Sequence, residues 1–100
     1  MQELKGKVAI VTGGGRGLGE AICRMLGENG AIAIVADIRE ELAQKVALEI
    51  QAEGGKAQTL QLDVCDAVSV EKAIAQIFDQ YGQLDILINN AEVDVTLPVD

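Results

Sequence analysis

The sequence predicts an α/β fold, a doubly wound parallel sheet with strand order 3-2-1-4. Short apolar runs alternate along the chain with longer amphipathic ones, and the connections between them are short. A glycine-rich run, VTGGGRGLG, directly follows the first apolar segment. Strand-helix-strand alternation with short connections produces parallel strands, right-handed crossovers and helices on the faces of the sheet.

Four segments have the composition of strands. Residues 7–12 (KVAIVT) and 31–37 are continuous apolar runs, which is typical of strands buried on both faces. Residues 56–63 (KAQTLQLD) alternate polar and apolar side chains, which predicts an edge strand with one wetter face. Residues 84–89 (LDILIN) form the fourth strand, and its natural place is beside the first.

Three segments have helical spacing. The first helix carries an apolar stripe that includes Leu18 and Met25, and Asn29-Gly30 ends it. The second spans residues 39–52, and Gly54-Gly55 breaks the chain after it. Asp66 is the expected N-cap of the third helix, and Gly82 is the expected stop. The apolar stripe of this third helix consists of Val70, Ala73, Ile74, Ile77, Phe78 and Tyr81.

Length and charge restrict the class of protein. The 100 residues suit a single domain spanning 1–100, and the net charge of −8 argues against nucleic acid or an anionic membrane as a partner. No apolar run approaches the roughly 20 residues that span a bilayer, and the start shows no secretory signal, so we expect a cytoplasmic protein. Cys23 and Cys65 form no metal motif and are expected to be two buried thiols.

The glycine run predicts a phosphate site. A glycine-rich turn that enters a helix presents free N–H groups and the positive end of the helix dipole. The turn follows strand one and residues 89–91 follow strand four, so both border the crevice where the strand order reverses, the usual ligand site of such sheets. An NTP-hydrolysing P-loop is excluded because Glu20 and Ala21 stand where lysine and Ser/Thr are required. The strict G-x-G-x-x-G fingerprint also fails.

Two motifs resemble the short-chain dehydrogenase/reductase family. The string TGGGRGLG matches its TGxxxGxG motif, and Asn89-Asn90-Ala91 matches three of the four residues of its NNAG motif, across a similarity that spans nearly the whole chain. The resemblance implies a Rossmann-type half-fold that binds a nicotinamide dinucleotide. The residues that it places at the cofactor are Gly13, Gly17 and Gly19 along the pyrophosphate, the Arg16 and Leu18 backbone nearby, and Asp63 and Val64 beside the adenine.

Asp37, at the end of strand two, favours NAD over NADP. A carboxylate at this strand tip can accept hydrogen bonds from the adenosine ribose hydroxyls and repels a 2′-phosphate. Arg16 and Arg39 argue the other way, since either could reach a 2′-phosphate. Ile38, the next residue after the acid, completes the candidate site.

The family's catalytic tyrosine, lysine and serine have no counterparts here. Tyr81 lies on the apolar stripe of the third helix with Asp85 four positions later, and Ser69 lies near the start of that helix. We therefore predict that the chain is the cofactor-binding half of an oxidoreductase. We expect the chain to be truncated at its C-terminus and to be inactive alone. The substrate, an alcohol or carbonyl compound, would bind only to a complete protein. A free-standing dinucleotide-binding or assembly module and a nucleotide-free structural protein are the alternatives.

Three further expectations concern the end of the chain. Glu92 stands where the family has glycine, and it either points harmlessly to solvent or crowds the nicotinamide half with bulk and negative charge. Residues 84–88 would be an uncovered apolar edge strand, which predicts self-association through this edge. Residues 98–100 (PVD) resemble the lead-in to a further helix.

Overall fold

The computed structural model describes residues 2–91, so the expectations for Glu92 and residues 98–100 lie outside the described part. A single 3₁₀ turn, Gln2–Leu4, precedes an alternating series of strands and helices. The elements are β1 (Val8–Thr12), α1 (Gly17–Glu28), β2 (Ile32–Asp37), α2 (Glu40–Ala52), β3 (Lys56–Gln61), α3 (Ala67–Tyr81) and β4 (Ile86–Ile88).

The four strands form one parallel sheet in the order β3-β2-β1-β4, which confirms the predicted fold class and order. Val11 of β1 lies opposite Val35 of β2 and opposite Ile88 of β4. The carboxyl ends of these three strands therefore lie side by side at one edge of the sheet. The strand order reverses between β1 and β4, so this edge contains the predicted crevice.

Two aliphatic cores hold the helices on opposite faces of the sheet. Alternate residues of β1 and β2, such as Val11 and Val35, pack with α1 and α2 on one face. Their neighbours, such as Ile10 and Ile34, pack with α3 on the other. All five residues of β1 are buried, as expected of a central strand with helices on both faces. Within the described residues, no helix is long and apolar enough to cross a membrane.

The ends of α3 follow the predicted signals. The Asp66 carboxylate accepts hydrogen bonds from the backbone N–H groups of Val68 and Ser69 at 3.1 and 3.2 Å. Gly82 ends the helix with φ of +72°, a conformation that glycine adopts without a Cβ penalty. Both boundaries are thus fixed by single residues that the sequence identifies.

Several expectations about burial and strand length are wrong. Leu18 is 69% exposed because it lies in the first turn of α1, at the wall of the crevice. Phe78 is 53% exposed because α3 turns Ile77, not Phe78, onto the sheet. Cys65 is exposed and only Cys23 is buried, since Cys65 lies in the loop before α3. The strands β3 and β4 are also shorter than predicted.

Asp85 attaches the start of β4 to the start of β1, and this contact predicts a pH effect. Its carboxylate accepts a hydrogen bond from the Val8 N–H at 2.8 Å, which lowers the pKa of Asp85. A folded-state pKa below the unfolded value stabilises the protein at neutral pH, and that stabilisation is lost as the pH falls through the folded pKa. We expect Asp85→Asn to be less stable than the parent at pH 7, with a difference that shrinks in acid. Urea unfolding across pH measures this, and a pH-independent difference would contradict it.

Candidate functional site

A cavity of about 640 Å³ lies at the carboxyl edge of the sheet, where the strand order reverses. Its walls are the glycine turn after β1, the turn after β2, the loop after β3 and the residues after β4. The residues that line it are Gly13, Arg16, Gly17, Leu18, Asp37, Ile38, Arg39, Leu62, Asp63, Val64, Cys65, Asn90 and Ala91. This volume and this position are typical of a small-molecule site in an open α/β sheet.

The glycine turn places the N-terminus of α1 at the cavity. Gly13 and Gly17 have φ of +65° and +57°, which lets the chain reverse out of β1 and enter the helix within a few residues. Arg16 is the N-cap, and no side chain caps the first turn of α1. An uncapped helix N-terminus offers backbone N–H groups and a positive dipole end to an anion.

Gly19 lets α1 approach the turn closely. A Cβ built at this position overlaps the carbonyl oxygen of Gly13 and lies 2.7 Å from Nδ2 of Asn90. The same Asn90 Nδ2 donates a hydrogen bond to the Gly13 carbonyl at 3.4 Å. The helix, the glycine turn and the segment after β4 therefore meet at one point that has no room for a side chain.

Asp37 is the buried one of the two acidic residues that line the cavity, and it is only 9% exposed. Its Oδ2 accepts a hydrogen bond from the Gly15 N–H at 3.0 Å, and its Oδ1 accepts one from the Arg39 N–H at 3.0 Å. An ionised carboxylate has about four acceptor positions. Two of them have no hydrogen-bond partner among the described residues.

Thr12 joins the end of β1 to the segment after β4. Its Oγ1 accepts hydrogen bonds from the N–H groups of Asn90 and Ala91 at 2.9 and 3.0 Å. Its own hydrogen can reach the Ile88 carbonyl at 3.3 Å or Oδ1 of Asn89 at 3.2 Å. The hydroxyl thus fixes one wall of the cavity relative to the glycine turn.

Replacing Thr12 tests that role. We expect Thr12→Val to destabilise the protein by about 2 kcal/mol, because two partly buried N–H groups lose their acceptor. Thr12→Ser keeps the hydroxyl and loses one methyl group, at a cost of about 0.8 kcal/mol. Urea unfolding of both variants measures the difference. A smaller loss in Thr12→Val than in Thr12→Ser would show that the methyl group, not the hydroxyl, matters.

Two arginines and two acids share the cavity. Arg16 is exposed, and none of the contacts among residues 2–91 gives its side chain a partner. Nε of Arg39 instead donates to Oε1 of Glu41 at 3.0 Å, an ion pair between exposed side chains. Oδ1 of Asp63 accepts from the Cys65 N–H at 2.9 Å, which shapes the loop after β3.

The two cysteines have different environments. Cys23 is fully buried beneath the glycine turn, and burial is the main reason that its pKa rises to about 12. Cys65 is exposed at the cavity wall. Because the thiolate is the reactive form, only Cys65 is expected to react with alkylating reagents in the folded protein.

Ten of the twelve residues predicted for the site line this cavity. Gly19 and Asn89 do not line it, because Gly19 packs against the turn and Asn89 contacts Thr12. From the sequence, Arg39 was considered only as a possible contact of a 2′-phosphate, and Leu62 and Cys65 were not included in the site. Leu62 directly precedes Asp63, Cys65 follows it by two positions, and Arg39 follows Asp37 by two positions. Including two residues on each side of the predicted acids would have found all three.

The residues considered for catalysis lie away from the cavity. The Tyr81 hydroxyl donates to Oε1 of Gln58 at 2.6 Å, its ring packs against the core beneath α3, and burial raises its pKa. Ser69 lies in the first turn of α3 and does not line the cavity. Within residues 2–91, no group of three or more His, Cys, Asp or Glu side chains could hold a metal ion.

Comparison with known proteins gives the family. The family described as short chain dehydrogenase matches residues 7–99. The chain belongs to this family. It is 44% identical over 90 residues to the 2,5-dichloro-2,5-cyclohexadiene-1,4-diol dehydrogenase LinX of Sphingobium indicum, a match that covers 90% of this chain and 36% of that protein.

Solved structures of short-chain dehydrogenases share the fold. A hydroxysteroid dehydrogenase from Escherichia coli superposes with a TM-score of 0.88 at 35% identity, over 97% of this chain and 41% of that one. A metagenomic short-chain oxidoreductase in complex with NADP gives a TM-score of 0.87 at 37% identity, over 90% of this chain and 41% of that one. The chain thus spans only about a third of the length of the curated relatives that it matches.

Proposed function

We propose that this chain is the cofactor-binding portion of an NAD-dependent oxidoreductase. The observation that carries the proposal is the Asp37 carboxylate, which lies in the cavity beside an uncapped helix N-terminus. A ribose carrying two hydroxyls fits the two free acceptor positions of this carboxylate. A pyrophosphate fits the N–H groups at Gly17 and Leu18, two residues that line the same cavity.

The remaining walls fit the two ends of a dinucleotide. The loop after β3 supplies Asp63 and Val64 for the adenine, beside Ile38 from the neighbouring turn. Asn90 and Ala91 lie on the β4 side, where the nicotinamide half would extend. When bound, the nicotinamide supplies hydride transfer to or from an alcohol or carbonyl substrate.

Charge favours NAD over NADP as the cofactor. A 2′-phosphate would approach the buried Asp37 carboxylate, and two like charges in a partly buried site repel strongly. Arg39 is already paired with Glu41, so less of its charge is available to offset that repulsion. Arg16 is the remaining cation, and it is solvent exposed, where salt screens its effect.

Titration of the chain with NADH and NADPH tests the proposal. We expect NADH fluorescence to rise on binding and NADPH to bind more weakly. NADH should also slow alkylation of Cys65, because that thiol lies at the cavity wall. Unchanged fluorescence together with unchanged alkylation would overturn the proposal. Equal or tighter binding of NADPH would overturn only the choice of cofactor.

We also propose that these 100 residues do not catalyse hydride transfer alone. Tyr81 and Ser69 lie outside the cavity, and the chain contains no histidine that could carry the proton. The chain should therefore bind NADH without oxidising it when alcohol or carbonyl substrates of several classes are added. Turnover above the background rate would contradict this.

Self-association through β4 is a further part of the proposal. Among residues 2–91, β4 pairs only with β1, so its other edge is free. Leu87 of this strand is 52% exposed on the face that α3 covers only in part. An exposed apolar edge favours pairing with a second chain. Sedimentation should show dimers at tens of micromolar, and a monomer at that concentration would contradict the expectation.

A further inference from the structure

We infer that Asp37 is a positioning residue for the phosphate subsite as well as a ligand for the ribose. Its buried carboxylate holds the glycine turn in the shape that binds a diphosphate. The inference rests on the proposed dinucleotide function, which it deepens. It follows from what the Asp37 oxygens contact within the protein itself.

The glycine turn is attached to the end of β2 at two successive residues. The Gly14 N–H donates to the Ala36 carbonyl at 2.9 Å, and the Gly15 N–H donates to Oδ2 of Asp37 at 3.0 Å. The second of these bonds is buried. A buried N–H group without an acceptor is strongly disfavoured, and a bond to a charged acceptor is stronger than a neutral one.

Packing shows that the turn has little freedom on its other side. A Cβ at Gly15 would lie 2.6 Å from Cβ of Leu42, 2.9 Å from Oδ2 of Asp37 and 3.1 Å from the Ala43 nitrogen. The turn therefore packs closely against the first turn of α2, and the Asp37 carboxylate accepts the hydrogen bond from the Gly15 N–H. Oδ1 meanwhile accepts from the Arg39 N–H, which fixes the carboxylate itself.

Removal of the negative charge should therefore affect more than the ribose. In Asp37→Asn the amide either turns its NH2 group toward the Gly15 N–H or offers a weaker, neutral oxygen. In both cases the turn loses its charged anchor, and the N–H groups two to four residues later lose their fixed positions. Affinity for any diphosphate nucleotide should fall, whether or not the nucleotide carries ribose hydroxyls. A change at Asp37 alone should accordingly weaken NADH binding without producing tight NADPH binding.

Nucleotides without ribose hydroxyls separate the two roles. Displacement of NADH by ADP, 2′,3′-dideoxy-ADP and 2′,3′-dideoxyadenosine measures the affinity of each for the unaltered chain and for Asp37→Asn. We expect the variant to bind 2′,3′-dideoxy-ADP about tenfold more weakly and to bind 2′,3′-dideoxyadenosine equally well. Asp85→Asn is the matched control, because it removes a carboxylate that also accepts a backbone N–H but lies at the opposite edge of the sheet. This control should leave all three affinities unchanged.

The displacement experiment distinguishes failure of the inference from failure of the proposed function. Unchanged affinity for 2′,3′-dideoxy-ADP in Asp37→Asn would show that the residue acts only on the ribose, and it would overturn the inference. A parallel loss for 2′,3′-dideoxyadenosine would indicate a general structural defect and would also overturn it. Failure of the unaltered chain to bind NADH or ADP would instead overturn the proposed function.

Amide hydrogen exchange tests the contact without any ligand. In the unaltered chain the Gly15 amide should exchange at least about tenfold more slowly than a free peptide amide, although it lies in a loop. Asp37→Asn should remove most of this protection while amides in β1 and β2 keep theirs. If Asp37→Asn does not fold, the measurement on the unaltered chain still decides, because a freely exchanging Gly15 amide would overturn the inference.

Discussion

Gly19→Ala is expected to weaken NADH binding by about a hundredfold. The new Cβ overlaps the Gly13 carbonyl oxygen and lies 2.7 Å from Nδ2 of Asn90, so α1 or the turn must shift. A misplacement of about 1 Å in a binding site can cost about a hundredfold in function. We also expect a loss of about 1–3 kcal/mol in stability, the usual cost of overpacking. Helix propensity alone predicts the opposite change in stability, because alanine is favoured over glycine inside a helix by about 1 kcal/mol.

Gly54→Ala is the control for that experiment. Gly54 has φ of +91° and nothing within 4 Å of an added Cβ, so alanine there meets backbone strain but no clash. It lies after α2, at the end of the sheet away from the cavity. The control should lose about 1–2 kcal/mol of stability and keep its affinity for NADH. NADH titration and urea unfolding of both variants measure the two effects. A Gly19→Ala protein that is more stable than the parent would show that the close approach does not exist.

The strand order, the glycine turn as a phosphate site and Asp37 could be predicted from local patterns, whereas Asp63 and Val64 were predicted only from the family resemblance. The alternation of apolar runs and amphipathic segments determines a parallel sheet, and the sheet then brings the glycine turn and Asn90 to one edge. Asp37 could be identified because it is an acid at the tip of a buried strand. None of these steps needs a knowledge of side-chain contacts between distant elements.

The errors concern contacts between elements. Helical spacing shows which residues share a face, but it does not show whether another element covers that face, so Leu18 and Phe78 were wrongly expected to be buried. Similarly, the composition of the chain gives no information about where Cys65 lies relative to the cavity. The bond from Gly15 to Asp37 joins residues 22 positions apart, and no sequence pattern predicts which N–H a carboxylate will accept.

Ile77→Ala should have the largest effect on stability among single changes in α3. Ile77 is fully buried, and it packs in the core between α3 and the sheet. Truncation of such a residue to alanine removes buried methyl groups and leaves a cavity, at a cost of about 2–5 kcal/mol. Since a domain of this size is stable by only about 5–15 kcal/mol, the loss is a large fraction of the total. The melting temperature should fall by at least about 8 °C.

Phe78→Ala is the matched comparison because Phe78 is the next residue on the same helix and is 53% exposed. Although this change removes a larger side chain, we expect it to cost less than 1 kcal/mol in a monomer, since much of the ring already contacts water. Thermal unfolding at low protein concentration, where association is minimal, compares the two. If Phe78→Ala were the more destabilising change, the face of α3 that packs against the sheet would differ from the one described. If its cost appeared only at high concentration, the exposed ring would lie in the contact between chains, on the same face of the sheet as Leu87.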